Sequence, residues 1–331
     1  MLGKVFDVHC HVFNARILRD MLSFAKTKSF AKEEKGFFGH WSDWVREFIS
    51  ALFDSEKKHH RFIIQHLKSN FPKAENYATV PLMMDIYFMH SNPLTMDGSI
   101  PTGTLYLGEM MKEQIRDLEI LSSEGNCYPF FAVDPRRAGL INEILDGKYI
   151  TQTTGGFYGI KLYPRLGYHP MSGQLPKLYK YCARNNIPII THCSDSGFPP
   201  WPTPHSSFGH PNNFKQALID NPELIIDFAH FGYGGDGWPE AIIELMKNFS
   251  NVYSDLSCYT DEKDILNFKS KYWKNEIVKQ RTMYGSDYDV FYFTQLNFDL
   301  NSYIQTFKGN FTEDELNKMI SINPNKFLFG E

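Results

Sequence analysis

Eight short β-rich runs, separated by longer stretches of helical spacing and bounded by Pro and Gly clusters, predict an α/β fold: a (β/α)8 TIM barrel with a helical insertion after strand 1. At 331 residues the chain is longer than the about 250 of a typical barrel, by an amount that one or two insertions account for. A single domain spanning 1–331 is therefore expected, with residues 12–76 as the insertion.

The runs, in order, are KVFDVHCH (Lys4–His11), YATVPLMMD (Tyr77–Asp85), CYPFFAVD (Cys127–Asp134), YGIKLY (Tyr158–Tyr163), IPIITHC (Ile187–Cys193), LIIDFAH (Leu224–His230), VYSDLSC (Val252–Cys258) and RTMYGSD (Arg281–Asp287). Between them, Leu105–Ser122 carries Leu107, Met110, Met111, Ile115, Leu118 and Leu121 at helical spacing, a core-packing stripe. Further helices are expected over Gln174–Asn185, Asn213–Asp220, Pro239–Phe249, Asp261–Lys279 and Thr312–Ser321, the last opened by a Thr312/Glu315 capping box. The insertion holds two amphipathic patterns, one around Trp41–Leu52 and one around Phe62–Leu67. It leaves from the carboxyl end of the first strand, so it is expected to lie over the barrel mouth as a lid.

Composition narrows the function. Hydrophobic residues at 42% and charged residues at 22% are ordinary for a globular protein. With 34 Lys and Arg against 38 Asp and Glu, the net charge of −4 leaves no basic surface for nucleic acid. Five cysteines without a C-x-x-C pair suit a reducing compartment, and no apolar run is long enough for a membrane span, so a cytoplasmic location is expected. A small-molecule substrate is the expected partner, and a homo-oligomer stays open.

Polar residues with metal-ligand chemistry recur where the runs end. His9 and His11 lie two apart at the end of the first, so both side chains face the same way. His192 closes the fifth run, His230 the sixth and Asp287 the eighth. Ordinary buried polar residues would scatter along the strands, whereas these gather at the face where barrels build their sites. Histidine and carboxylate donors suit a divalent metal, zinc first, with manganese or iron as alternatives. Strand alternation turns Cys10 and Cys193 toward the helix layer as inert thiols. The other histidines read as packed or solvated, with His90, His169 and His205 able to line the mouth.

The segments DVHCH, GIKLYP, ITHCS, DFAHFG and YGSDYD together resemble the amidohydrolase superfamily, in the branch called amidohydrolase family 2. The resemblance spans most of the chain and weakens across the insertion and the Pro-rich loop Phe198–Pro211. It implies a barrel in which His9, His11 and Asp287 bind a catalytic divalent metal, with His192 and His230 as the histidines of strands five and six. Lys161, closing GIKL, matches a lysine that some members carry carboxylated as a bridge between two metals. Physically it is equally readable as the partner of a substrate carboxylate or an aspartate, so one ion or two stays open.

A hydrolase using a metal-activated water on an amide, ester or lactone bond is the expected activity. Asp287 would be the proton acceptor, and His230 would bind a second metal or polarise the scissile carbonyl. Arg165, beside Tyr163 after the fourth strand, is the candidate fork for a carboxylated substrate; Arg136 and Arg137 are weaker ones. The aromatic segments FPPWPTPHSSF (Phe198–Phe208) and YDVFYF (Tyr288–Phe293) suggest flat apolar walls for a ring. A metal-dependent nonoxidative decarboxylase is the alternative enzyme, and a catalytically silent metal-binding barrel the third reading.

Overall fold

The computed structural model describes residues 2–12, 56–88, 91–98, 107–197, 205–288 and 299–331. All eight predicted strands are present, each within or close to its run: β1 Leu2–Cys10, β2 Ala74–Pro81, β3 Phe130–Ala132, β4 Gly159–Leu162, β5 Ile189–Thr191, β6 Ile226–Phe228, β7 Val252–Asp255 and β8 Thr282–Met283. Every pairing is parallel and between sequence neighbours: β1 with β2, and β3 through β8 in order. Parallel bridges Thr79↔Cys127 and Leu82↔Phe130 join the two groups. Val8 N–H donates to the Tyr284 carbonyl, and the Ser286 and Asp287 amides donate to that of His9. Pairing thus runs round the ring of a (β/α)8 barrel.

The helices are α1 Glu56–Asn70, α2 Glu109–Ser123, α3 Leu140–Leu145, α4 Leu175–Arg184, α5 Lys215–Asp220, α6 Trp238–Asn248, α7 Glu262–Lys271, α8 Glu276–Lys279, α9 Leu300–Asn310, α10 Glu313–Asn317 and α11 Asn323–Phe329. The stripe expected on α2 is buried at Met111, Ile115, Leu118 and Leu121. The single helix expected over Asp261–Lys279 is instead two. Asp261 caps α7, and the Asn275 side chain accepts from the Ile277 amide to start α8 afresh. Trp273, between them, is buried and donates to Glu315. The Thr312/Glu315 capping box forms as expected, and a π-helical turn over Lys318–Ile322 leads on to α11. Sequence patterns had not marked α3 or α9.

Helix α1 is the second helix expected in the insertion. It buries Ile63 and Leu67, and its Asn70 is tied to α9 by hydrogen bonds with Asn301, Gln305 and Lys308. Phe62 stacks on Tyr288 with ring centroids 5.2 Å apart, beside the end of the eighth strand. The helix expected around Trp41–Leu52, and with it the lid reading, lies outside the described residues.

Two apolar clusters make the core. The inner one, inside the barrel, joins Phe6, Val8, Ala78, Phe130, Ile190, Tyr253 and Met283 with Phe327 and Leu328 of α11. The outer one lies between strands and helices and takes in Val5, Cys10, Ile160, Leu162, Cys193 and Phe228, so both cysteines face the helix layer as expected. No described helix is long and apolar enough to cross a membrane.

Asn323 is the polar pin of the last unit: its Nδ2 donates to the carbonyls of Lys279 at 3.0 Å and Thr282 at 2.8 Å, fixing α11 to the start of β8. Asn323→Ala leaves the buried Thr282 carbonyl and the half-buried Lys279 carbonyl short of a donor and should cost about 1–3 kcal/mol. A thermal melt showing no drop in Tm would contradict this.

Candidate metal centre

The carboxyl ends of the strands bring the predicted ligands together, and the first strand does so by breaking its own alternation. Strict alternation from Val5, which faces outward, would turn His9 outward too. The register shifts between Asp7 and Cys10, so Phe6 and Val8 lie in the inner cluster while Cys10 returns to the outer one. This irregularity lets both His9 and His11 face the barrel mouth. Gly285 completes the arrangement, because a Cβ there would fall 2.6 Å from the Cβ of His9.

His9 Nε2 lies 3.4 Å and His11 Nε2 3.3 Å from Asp287 Oδ1. The far nitrogen of each ring is already committed: His9 Nδ1 is 2.8 Å from Asp255 Oδ2, and His11 Nδ1 is 2.7 Å from the Leu82 carbonyl. A carbonyl only accepts, so His11 Nδ1 carries the proton. Burial, opposed by Asp287, lowers the His11 pKa and keeps the ring neutral, leaving Nε2 bare. His9 Nδ1 likewise faces an acceptor, the Asp255 carboxylate, so its Nε2 is the nitrogen turned toward Asp287. Bare nitrogens and a carboxylate oxygen that close repel unless a cation lies between them. Two donors each about 2.1 Å from one ion at the tetrahedral angle stand about 3.4 Å apart, so the spacing fits a divalent metal.

Asp287 is suited to the part. Burial alone would raise its pKa, but the facing His11, with His9 and His230 close by, lowers it to about 2. Among the described residues, His9, His230 and Asp287 also place one ligand atom each within 4.8 Å of one another.

His230 and His192 form the far side. His192 Nε2 is 2.9 Å from the Ser196 carbonyl, so that nitrogen carries the proton and Nδ1 accepts from His230 Nε2 at 3.1 Å. His230 Nδ1 faces Ser257 Oγ at 2.7 Å and Cys258 Sγ at 3.0 Å. Burial drives the pKa of His230 down to about 3 and that of His192 well below its ordinary value. His230 at φ 65° and Asp287 at φ 49° are both left-handed, a strained state for these residues. The His230 amide is held by Asp255 Oδ1 at 3.1 Å and the Asp287 amide by the His9 carbonyl at 2.7 Å.

Asp255, at the end of β7, is the residue that sequence reasoning missed. It orients His9, holds the His230 amide and accepts from the Ser257 amide at 3.0 Å. Burial would raise its pKa, but the neighbouring His9 outweighs that and keeps it well below the carboxylate range. The signal was available: VYSD ends a strand on an acid, as the eighth run does.

Lys161 sits at the inner face of β4, 3% exposed, with burial lowering its pKa to about 8. It lines a narrow recess with Met83, Met84, Ala132, Val133, Tyr163 and Leu166. Tyr163 also stacks near His192, ring centroids 4.1 Å apart. The arginines are differently placed. Arg165 is buried, with Nη1 donating to the Asp195 carbonyl at 2.8 Å. Arg136 makes a fork onto Asp134 and Arg137 a fork onto Asp85, both pairs buried. Of the aromatic segments expected at the mouth, residues 198–204 and 289–293 lie outside the described residues, as does His90.

The profile of the family described as amidohydrolase matches residues 146–330, more than half of the chain. No curated protein sequence gives a significant match. Among solved structures, an uncharacterised TIM-barrel protein from Bordetella bronchiseptica superposes with a TM-score of 0.61 at 17% identity, over 98% of each chain. The 5-carboxyvanillate decarboxylase of Novosphingobium aromaticivorans, solved with manganese and 4-hydroxy-3-methoxy-5-nitrobenzoic acid, gives 0.58 at 12% identity, over 99% of this chain and 96% of that one. A probable 2-pyrone-4,6-dicarboxylic acid hydrolase from Acinetobacter baumannii, with citric acid bound, gives 0.52 at 16% identity over 99% of each. At such identities these likenesses show a shared barrel fold.

Asp255→Asn tests the outer support of the centre. Its Oδ1 is pinned by two backbone amides, so the new amide group would face His9 Nδ1 as a donor and favour the tautomer whose Nε2 carries the proton. Metal affinity, measured by competition with a chromophoric chelator, should fall about 10–100-fold. An unchanged affinity would remove Asp255 from the centre.

Proposed function

The chain belongs to the amidohydrolase family, and on that premise we propose that it is a metal-dependent hydrolase of an amide, ester or lactone bond in a small, carboxylated or ring-containing molecule. The observation that carries the reading is the convergence of His9 Nε2 and His11 Nε2 on Asp287 Oδ1. Those three residues would hold the ion, with His230 and His192 facing it from the other side. Zinc is the first choice for such donors, with manganese or iron as alternatives. A divalent ion held there supplies Lewis acidity and a water acidic enough to lose a proton near neutrality.

The remaining chemistry belongs to the side chains. Asp287 is ionised throughout the neutral range, so its carboxylate is always ready to take a proton from the attacking water and pass it to the leaving group. His230 is neutral and carries its proton on Nε2, because His192 Nδ1 accepts there. That N–H can turn to the scissile carbonyl and draw its electrons. Tyr163 and the apolar residues of the recess would hold the body of the substrate.

A second reading, nonoxidative decarboxylation, is favoured by one feature: Lys161 gives the recess a cation beside the metal centre, which would seat a carboxylate as the reacting group. The products separate the two, since hydrolysis consumes water and decarboxylation releases CO2.

We expect chelation to abolish turnover of carboxylated lactones and amides and metal to restore it. His9→Ala should lose bound metal. Asp287→Asn should keep much of it while kcat falls about 10²–10⁴-fold. Metal content and steady-state kinetics on the same samples check this. A fully active Asp287→Asn enzyme would eliminate the proton acceptor, and CO2 release from an aromatic carboxylate without hydrolysis would select the second reading.

A further inference from the structure

We propose that Lys161 is the anion receptor of the site: its ammonium holds the carboxylate of an aromatic or other ring-bearing acid in the recess beside the metal centre, and it does not serve as a carboxylated bridge between two metals. The inference deepens the functional reading above and rests on it, because it takes the recess to be the substrate pocket.

Three observations carry it. Lys161 is almost wholly buried, and among the described residues it makes no hydrogen bond or close ion pair. Its flexible stem rises from the inner face of β4, flanked by Ile160 and Leu162 in the outer cluster, so the amine can only reach inward, where it lines the recess. A buried charge with no partner is costly, and the fold would retain it only where an outside group completes it.

The other charges near the recess are already matched. Asp85 and Asp134, which line it, are each gripped by an arginine fork, from Arg137 and Arg136. Arg165 is turned to the Asp195 carbonyl. The carboxylates that attract Lys161 from further off are Asp255, Asp287 and Asp227. Asp255 is spent on His9 and on the His230 and Ser257 amides, and Asp287 on the histidines. Asp227, buried and close to Asp255, keeps its proton, because burial and the Asp255 charge both raise its pKa. The recess therefore presents one unmatched positive charge.

The rest of the lining states the class of ligand. Met83, Met84, Ala132, Val133 and Leu166 offer apolar, partly polarisable walls, and Tyr163 adds a ring edge. A carboxylate set between Lys161 and the metal centre also relieves the repulsion that an ammonium would otherwise feel from a dication.

The test uses the full-length, zinc-loaded protein with benzoate as probe and benzamide as its uncharged control. Binding is followed by isothermal titration and zinc per chain by mass spectrometry, for wild type, Lys161→Met and Lys161→Arg, each checked for folding by its melting transition. We expect wild type to bind benzoate in preference to benzamide. Lys161→Met should keep the wild-type zinc content and lose benzoate affinity about 10–100-fold, with partial recovery in Lys161→Arg. Equal benzoate affinity in wild type and Lys161→Met would overturn the proposal. So would a lysine carbamate signal in the carbon NMR spectrum after equilibration with labelled bicarbonate, or loss of zinc from folded Lys161→Met relative to wild type. Zinc missing from wild type would instead count against the metal-dependent reading, while the benzoate comparison still reports on Lys161 alone.

Discussion

Two imidazole nitrogens aimed at one carboxylate oxygen favour a cation between them when both rings are neutral, and the mouth of this barrel places His9, His11 and Asp287 in that relation. The ring orientations are set at a distance. The Leu82 carbonyl takes the proton side of His11, and Asp255 takes that of His9. Each acceptor comes from a different strand end, so the state of the centre depends on the register of β1 against β2 and of β7 against β8. Burial does the rest by keeping the His11 ring neutral. The strain at His230 and Asp287 belongs to the same arrangement, because both left-handed residues are held by bonds to Asp255 and His9.

Around this centre the fold separates rigid charge from available charge. Arg136 and Arg137 each spend their fork on a neighbouring aspartate and lie against aromatic rings, Phe88 and Tyr168 for the first, Tyr87 and Phe88 for the second. Arg136 also reaches the carbonyls of Phe88 and Leu166, tying the segments after β2, β3 and β4 to one another. These buried pairs fix the wall of the recess; leaving either member alone would bury an uncompensated charge. Lys161 stands in the same wall and, among the described residues, makes no such pair; under the proposal above that contrast would make the recess selective for acids.

The barrel and the gathering of the candidate site residues at the strand ends were readable because both rest on local rules. Alternating strand and helix patterns imply parallel pairing, and the chemistry of such barrels gathers at the strand ends, which is where His9, His11, His192, His230 and Asp287 stand. What stayed hidden depends on contacts between distant segments. The outward fate of Cys10 was predicted correctly, yet the shift between Asp7 and Cys10 that makes it compatible with an inward His9 arises from pairing with β2 and the eighth-strand segment. Asp255 lay inside a recognised run, but its part is defined by His9, far away in the chain. Arg165, expected as a fork for a substrate carboxylate, is buried in the fold with Nη1 donating to the Asp195 carbonyl, a contact that local sequence does not reveal. The split at Trp273 was legible in Asn275, a good cap, but a continuous apolar period on either side masked it. Leu300, Tyr303, Ile304 and Phe307 of α9 do recur at helical spacing, and their burial confirms a pattern that could have been read.

The central claim is that one divalent ion sits where these donors meet. A crystal structure of the zinc-loaded protein, with data collected across the zinc absorption edge, addresses it directly. The account predicts one strong anomalous peak within about 2.0–2.2 Å of His9 Nε2, His11 Nε2 and an Asp287 oxygen. A fully loaded protein whose zinc lies elsewhere, with Asp287 hydrogen-bonded directly to a protonated His9 or His11, would contradict it.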